Sequence, residues 1–409
     1  MKKILTNSRF IAWAIGLASD RLGNSLYTIV LPLMVYHMTA SLGNMAIVSV
    51  CQFAPRVFPG IYAGSLVDIS DKKILFFFAL IAQLLISFAM AVLYSIDQLS
   101  FPLLCLLAAL LSIFFEISRT AEMTLIPFMF AEDRADATTT LASVHTAMFM
   151  LGPLLGATML KYFSYPALLS LNALTYVVPL LANRWTRIPS FQSPEYKSRN
   201  FREKLVLTNI SLIEALSTVH KSKPLQLLIL FILFIMLATG GLELLIIFYT
   251  KNTLHVSDQF ASLLYAAGAS GMFIGTLLVP VFRKMKRKLF LFITLIMIAM
   301  GVLMFQLGTL PALICAQLLT FTGIFACSVT KDLIIQESAP PAMLGRISGL
   351  LRLINSSMIS LSTVFLTALS SVISFQQIAV IIILLVFIAL VLSQHSQFSK
   401  THLAEGEYR

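Results

Sequence analysis

The sequence predicts an all-α membrane protein, and three observations support this class: the composition, the spacing of apolar runs, and the placement of lysine and arginine. Of the 409 residues, 58% are apolar and only 11% are charged, whereas about 25% is usual for charged residues in soluble domains. The mean hydropathy is +0.90. A surface so poor in charge cannot keep a chain of this size in water, so lipid must be its main solvent.

Apolar runs long enough to cross a bilayer recur along the whole chain. A spanning helix needs about 20 mostly apolar residues. Twelve runs of this length are separated by polar residues, glycine or proline, and each is predicted to be one transmembrane helix. They are 10–37, 44–66, 74–96, 101–130, 138–162, 165–185, 223–250, 258–282, 289–308, 311–336, 346–372 and 374–393.

One long polar segment, residues 186–222, separates six predicted spans from the next six. We therefore expect an N-terminal six-helix bundle over 1–185, a cytoplasmic linker over 186–222, a C-terminal six-helix bundle over 223–393 and a cytoplasmic tail over 394–409. The loop after span two and the loop after span eight are both basic, which indicates a weak internal repeat.

The placement of positive charge predicts the orientation in the membrane. When the N-terminus is assigned to the cytoplasm, the external loops receive only Lys161 and Lys251. Because positive loops stay in the cytoplasm, both termini are predicted to be cytoplasmic, which requires an even number of spans. The same asymmetry accounts for the net charge of +11, so no nucleic-acid partner is expected.

The N-terminus and the cysteines add two smaller expectations. Lys2 and Lys3 followed by apolar residues resemble a signal peptide, but the apolar pattern continues past Arg21 to Tyr36, which favours an uncleaved first span. The four cysteines lie in apolar runs without a C-x-x-C pair, so they are predicted to be small core residues. No metal or other cofactor is expected.

The loop between spans two and three contains a recognisable motif. Gly64-Ser65-Leu66-Val67-Asp68, followed by Asp71-Lys72-Lys73, is similar to the motif G-x-L-x-D-r-x-x-r-[KR] of the major facilitator superfamily, and the resemblance covers essentially the whole chain. Ser70 departs from the usual pattern. The resemblance implies two six-helix bundles around a central cavity, alternating access, and a monomer. Gly64, Asp68, Lys72 and Lys73 would then belong to a cytoplasmic gating loop.

Two further stretches suggest a branch of that superfamily. Gly152, Pro153 and Gly156 in span five are similar to the antiporter motif G-P-x-x-G-G, although a simple helix kink explains them as well. Phe53-Ala54-Pro55-Arg56, Leu125-Ile126-Pro127 and the stretch 340–346 resemble macrolide efflux proteins and enterobactin-type siderophore exporters. This branch resemblance implies export of a small organic molecule.

Charged residues inside the spans mark the candidate transport pathway, because a charge at bilayer depth costs about 2.5–3.5 kcal/mol or more. In the superfamily, spans one, four, seven and ten line the cavity. The candidates in spans one, four and seven are Asp20, Arg21, Glu116, Arg119, Glu122 and Glu243.

We expect Asp20 and Glu116 to share Arg119 and Arg21 in one cluster that binds protons and couples to substrate. The alternative is a static ion pair that only fixes helix packing. Glu243, after Gly240-Gly241, is predicted to be a second proton site or to bind a cationic group, unless it is structural. Arg56 is placed near the cytoplasmic end of its span and His145 in the core.

The leading functional hypothesis is a transporter of the bacterial cytoplasmic membrane that exports a siderophore or a hydrophobic drug in exchange for protons. Its partners would be the small-molecule substrate, protons and the lipid bilayer. An importer of a siderophore or another nutrient is the first alternative. A membrane enzyme or a non-transporting sensor is the second, but H-E-x-x-H, G-x-S-x-G and phosphate-loop motifs are absent from the sequence.

Overall fold

The computed structural model describes residues 4–56, 71–130, 133–186, 213–214, 216–256, 258–282, 285–338 and 344–395. These residues form helices joined by short turns. The first-half helices are α1 (Ser8–Thr39), α2 (Leu42–Phe53), α3 (Lys72–Ser95), α4 (Phe101–Met129), α5 (Arg134–Met159) and α6 (Tyr165–Thr186). The second-half helices are α7 (Lys223–Thr239), α8 (Leu242–Phe248), α9 (Asp258–Val281), α10 (Arg287–Met304), α11 (Leu310–Ser338), α12 (Leu344–Ser370) and α13 (Phe375–Ser393).

Eight helical stretches in the described part of the chain are long and apolar enough to cross a membrane. They lie in α3, α4, α6, the α7–α8 pair, α10, α11, α12 and α13. The remaining predicted spans fall on α1, α2, α5 and α9. Polar and charged residues interrupt α1 and α5, and α2 with its last turn ends at Arg56, where the described segment ends. The chain is therefore a multi-pass helical protein, while the number twelve stays a prediction.

The chain divides into two compact units, one of Met1–Thr39 with Ile47–Asn209 and the other of Ala40–Ala46 with Ile210–Arg409. In the first unit α1 packs on α5 and α6, and α3 packs on α4 and α6. In the second unit α7 packs on α12 and α13, and α10 packs on α11 and α13. The two units thus repeat one packing pattern when α7 and α8 are counted as one broken span. In each unit the first span contacts the fifth and the sixth, and the third span contacts the fourth and the sixth.

Small residues let the helices of the first unit approach closely. A Cβ atom on Gly23 would lie 2.0 Å from Thr175 Oγ1, and one on Gly16 would lie 3.0 Å from Pro179 Cα. Between these two glycines, the Ser19 hydroxyl donates to the Thr175 carbonyl at 3.1 Å. This stripe of small residues on α1 therefore determines how near α6 can lie, as is common for helix pairs in membranes.

The same device recurs in the second unit between α9 and α11. A Cβ atom on Gly271 would lie 2.4 Å from the Leu318 carbonyl oxygen, and one on Gly275 would lie 2.4 Å from the Thr322 carbonyl oxygen. Since a backbone oxygen cannot swing away like a side chain, only glycine fits at these two positions.

The seventh predicted span is broken at Gly240-Gly241, between α7 and α8. The Gly241 amide donates to Ser362 Oγ at 2.9 Å, and the Ser362 hydroxyl donates to the Leu237 carbonyl at 2.8 Å. The backbone groups released by the break are thus satisfied from α12, as a broken helix in a membrane requires. A π-helix, Tyr249–Thr253, follows α8.

The gating-loop motif is described only at its end. Gly64 and Asp68 lie outside the described residues. Lys72 and Lys73, which we expected in the loop, form the first turn of α3 instead, and the Lys72 side chain is buried. Asp71 explains this start because its Oδ1 accepts hydrogen bonds from the amides of Lys73 and Ile74 at 2.9 and 3.2 Å, which is the geometry of a helix N-cap.

Candidate functional site

A buried ion-pair cluster lies in the first unit, where α1 meets α4. Arg21 Nη1 lies 3.0 Å from Asp20 Oδ2, and Arg21 Nη2 donates to Glu122 Oε2. Asp20, Arg21 and Glu122 are only 3%, 5% and 7% exposed. One guanidinium therefore serves two carboxylates, and charges of this kind are tolerated away from water only when they are paired and hydrogen-bonded.

A hydrogen-bond chain orients the Asp20 carboxylate from its other side. Asn24, one helical turn further along α1, donates from Nδ2 to Asp20 Oδ1 at 2.8 Å. Tyr176 on α6 donates its hydroxyl proton to Asn24 Oδ1 at 3.1 Å. Because an ionised carboxylate only accepts hydrogen bonds, the Asn24 amide nitrogen faces Asp20, and the Asn24 oxygen is left to accept from Tyr176. Tyr176 and Asn24 are thus positioning residues for the carboxylate.

The pairing differs in one respect from the cluster expected from the sequence. We expected Glu116 to share Arg21 and Arg119 with Asp20, but Glu122 takes the place of Glu116 beside Arg21. Glu116 remains within electrostatic reach of Arg21, and Arg119 is within reach of Glu122. The structure thus brings together all five candidates from spans one and four.

His145 and Arg56, which are not among the predicted members of the cluster, also belong to this region. His145 on α5 is within electrostatic reach of Arg21 and Arg119. Arg56 lies with its guanidinium carbon 4.7 Å from the centre of the Phe115 ring, and Arg21 lies 5.3 Å from the centre of the same ring. Phe115 therefore links Arg56 to the ion-pair cluster.

The formal charges balance when the ion-pair cluster is taken together with the three charged residues near it. This wider group contains three carboxylates and three guanidinium groups, which cancel when all are ionised and His145 is neutral. The members are Asp20, Glu116, Glu122, Arg21, Arg56 and Arg119. A proton that binds to any of these carboxylates removes its negative charge and weakens its ion pair with a guanidinium, so the ion pairs must rearrange.

The antiporter-like motif packs directly on the helix that carries Asp20. A Cβ atom on Gly152 would lie 2.3 Å from the Ser25 side chain and 3.0 Å from the Ser25 carbonyl carbon. A Cβ atom on Gly156 would lie at an ordinary contact distance, 3.6 Å from Leu26 Cγ. The Ser25 hydroxyl donates to the Phe149 carbonyl at 2.8 Å. The side chain of Pro153 lies outside the described part of the chain.

Glu243 belongs to the second unit, in the first turn of α8 after the Gly240-Gly241 break. Among the described residues its half-buried carboxylate has no hydrogen bond and no ion pair. Near the end of α11, Lys331 Nζ lies 3.5 Å from Asp332 Oδ1. In the described segments, histidine, cysteine and acidic side chains do not form a group of three that could hold a metal ion.

Comparison with known proteins identifies the family to which this arrangement belongs. The sequence profile of the Major Facilitator Superfamily matches residues 13–363. The chain belongs to the Major Facilitator Superfamily. Members of this superfamily are membrane transporters, so the match indicates a transporter and not an enzyme. No curated protein sequence matches the chain significantly.

Solved structures of transporters share the fold at low sequence identity. A bacterial homologue of the iron transporter ferroportin, in an inward-facing state, is 16% identical with a TM-score of 0.68, covering 94% of this chain and 97% of its own. A bacterial homologue of the human lysosomal transporter Spinster is 14% identical with a TM-score of 0.69, covering 95% and 96%. The nucleoside transporter NupG is 12% identical with a TM-score of 0.73, covering 95% and 100%. At such identities the likeness concerns the fold alone.

Three features of the site were not predicted from the sequence: the roles of Asn24 and Tyr176, and the contacts of Arg56. Asn24 could have been found, because it lies four residues after Asp20 on one helix face. Tyr176 could not, since its sequence surroundings are apolar and it is 152 positions from Asn24. The depth of Arg56 near the cytoplasmic end of its span stays a prediction, whereas the hydrogen bond from its Nε to Ser112 Oγ on α4 could not be read from the sequence.

Proposed function

We propose that the chain is a secondary active transporter that exports a small organic molecule in exchange for protons, by alternating access. The observation that carries the proposal is the buried cluster of Asp20, Arg21 and Glu122. It offers two carboxylates that can bind protons around a single guanidinium, in a superfamily whose members transport solutes.

The cluster can couple proton binding to movement of helices because it joins residues from different parts of the chain. Asp20 and Arg21 lie on α1, and Glu122 lies on α4. Protonation of Glu122 removes the charge that holds Arg21 to α4, while Asp20 still holds Arg21 to α1. A change at one proton site therefore alters the free energy that joins the two helices, which is the requirement for a two-state switch.

The export direction rests on the resemblance of Gly152, Pro153 and Gly156 to the antiporter motif. Gly152 on α5 touches Ser25, one turn after Arg21, so the motif and the cluster share the same segment of α1. A shift of α1 that accompanies proton binding must be accommodated at this contact. The resemblance of short motifs to macrolide efflux proteins and siderophore exporters favours a siderophore or a hydrophobic drug as cargo. The bacterial cytoplasmic membrane, with both termini inside, is the location we propose.

An importer uses the same chemistry in the opposite direction and remains the second candidate. It is compatible with the cluster, because the ion pairs of Arg21 with Asp20 and Glu122 do not depend on the direction of transport.

The test measures secreted iron chelator and resistance to a macrolide in a deletion strain that carries wild type, Asp20→Asn, or Asp97→Asn as a matched control on an exposed turn. We expect wild type and Asp97→Asn to restore one of the two phenotypes and Asp20→Asn to restore neither. If Asp20→Asn restores it fully, proton coupling through the cluster is wrong. If secretion and resistance are unchanged by deletion while uptake of an iron complex falls, the importer is the correct assignment.

A further inference from the structure

Arg56 differs from Arg21 in how its charge is compensated. Its Nε donates to Ser112 Oγ at 3.1 Å, and this is its one hydrogen bond to the described residues. No carboxylate in the described part of the chain lies within ion-pair distance of it. Within the described residues, the two terminal nitrogens of this half-buried guanidinium therefore have unused donors, which is costly away from water unless a ligand or water accepts them.

Two aromatic rings lie against the same guanidinium. Its carbon lies 5.0 Å from the centre of the Phe53 ring and 4.7 Å from the centre of the Phe115 ring. Rings in this position stabilise the cation and also provide flat apolar walls. Ser112 holds the Nε edge, and the Ser112 hydroxyl in turn donates to the Gln52 carbonyl at 2.5 Å. The guanidinium is thus held at its Nε edge, and the described side chains leave the edge of its two terminal nitrogens open.

The charges around this open edge favour an anion. Ser112, Glu116 and Arg119 lie on one stripe of α4, spaced by four and three residues. Glu116 and Arg119 are both within electrostatic reach of Arg56. Arg56, Glu116 and Arg119 together carry one net positive charge, while Arg21 with Asp20 and Glu122 carries one net negative charge. An anion bound at Arg56 is therefore placed at the positive part of an overall balanced cluster.

We propose that Arg56, between Phe53 and Phe115, is the subsite of the transporter that binds the carboxylate or a similar planar oxyanion of an aromatic organic substrate. The terminal nitrogens of a guanidinium match the two oxygens of such a group in one plane. Glu116 lies beyond ion-pair distance, so it attracts Arg56 only through the longer-range electrostatic interaction, and its negative charge opposes that of the bound anion. This inference rests on the proposed transport function and adds the chemical class of the cargo.

The test uses three flat probes of nearly equal shape: 4-methylbenzoate, 4-methylbenzamide and 4-methylbenzamidine, which are anionic, neutral and cationic. Binding to the purified full-length protein in lipid nanodiscs is measured by calorimetry for wild type, Arg56→Gln, Arg56→Lys and Glu116→Gln. Arg9→Gln, on the exposed first turn of α1, is the matched control. Thermal unfolding of each variant shows that it is folded.

Wild type and Arg9→Gln should bind the benzoate best and the benzamidine worst. Arg56→Gln should weaken benzoate binding by about tenfold or more, since a hydrogen-bonded charge is lost, and leave benzamide binding nearly unchanged. The benzoate affinity of Arg56→Lys should lie between those of wild type and Arg56→Gln, because a lysine cannot bind both carboxylate oxygens in one plane. Glu116→Gln should tighten benzoate binding, because a competing negative charge is removed.

The proposal is overturned if wild type binds the three probes equally, or if Arg56→Gln keeps the preference for benzoate. It is also overturned if Glu116→Gln weakens benzoate binding, since Glu116 would then support the anion and not compete with it. These outcomes are independent of the secretion experiment, which tests proton-linked export through Asp20. The subsite can therefore fail while the proposed export stands, and the reverse holds as well.

Discussion

Arg21 donates to the carboxylate of Glu122, a residue 101 positions away in the sequence. Both side chains are almost fully buried, and the same guanidinium also holds Asp20 at 3.0 Å. The contact adds an ionic link between the first and the fourth helices of the N-terminal unit, which also share a buried apolar cluster that includes Leu17 and Leu125. A contact of this kind is sensitive to a proton, because protonation of one partner removes the attraction while the volume stays the same.

The first prediction concerns the unequal roles of the two partners. Arg21→Gln leaves two buried carboxylates without their cation, while Glu122→Gln leaves Arg21 still paired with Asp20. Removing one partner of a buried pair costs about 3–5 kcal/mol, so we expect Arg21→Gln to lower thermal stability in detergent by clearly more than Glu122→Gln. Arg9→Gln is the control and should change little. An equal loss for both cluster variants would contradict the shared role of Arg21.

The second prediction separates the two glycines of the antiporter-like motif. An added methyl group on Gly152 collides with Ser25, whereas the same group on Gly156 has ordinary contact distances to Leu26. Overpacking costs about 1–3 kcal/mol, so Gly152→Ala should lower the thermal stability and the transport activity, and Gly156→Ala should preserve both. If both variants behave like wild type, the contact between α1 and α5 is looser than the structure indicates.

The third prediction concerns the positioning chain from Tyr176 to Asp20. Tyr176→Phe removes the hydroxyl that orients Asn24, at a cost of about 0.5–1.5 kcal/mol for the lost hydrogen bond. Tyr162→Phe is the matched control, because the Tyr162 side chain is exposed. We expect the unfolding temperature to fall only for Tyr176→Phe, and the pH profile of transport to change with it. An altered unfolding temperature with an unaltered pH profile would limit Tyr176 to a structural role.

The fourth prediction tests the start of α3, which coincides with the end of the gating-loop motif. Asp71→Ala removes the side-chain acceptor for two backbone amides, and loss of such an N-cap costs about 0.5–2 kcal/mol. Asp71→Ser keeps a capping oxygen and should retain most of the stability. Unfolding temperatures of both variants in the same detergent provide the comparison. Equal stability of the alanine and serine variants would show that Asp71 does not act through its cap.

Several features of the site were predictable because they depend on local sequence. A charged residue in an apolar run must face other helices or water, so Asp20, Arg21 and Glu122 could be singled out without a structure. The Gly152 motif could be noticed in the same way, since proline and glycine have strong local meaning in a helix. Gly240-Gly241 has the same local meaning in the seventh span, and the break between α7 and α8 lies there.

The partners of these residues were not predictable in the same way. Glu116 and Glu122 lie on the same helix and have the same chemistry, and the rotation of α4 about its axis decides which of them reaches Arg21. That rotation depends on how neighbouring helices pack, including contacts such as Gln83 Nε2 with Ser118 Oγ at 3.0 Å. Arg56 shows the same limit, because its side chain reaches Ser112 from a different helix.

The sequence alone thus determined that the protein is helical, that lipid surrounds it and which residues carry costly charges, since each of these depends on composition over about 20 neighbouring residues. The tertiary structure decided that Arg21 pairs with Asp20 and Glu122, that Tyr176 orients Asn24, and that Arg56 keeps an open edge between two aromatic rings. The physical reason is distance. Lipid acts on each helix separately, whereas ion pairs and hydrogen bonds act over a few ångströms between helices. Which side chains come that close depends on the rotation of each helix, and packing alone specifies that rotation.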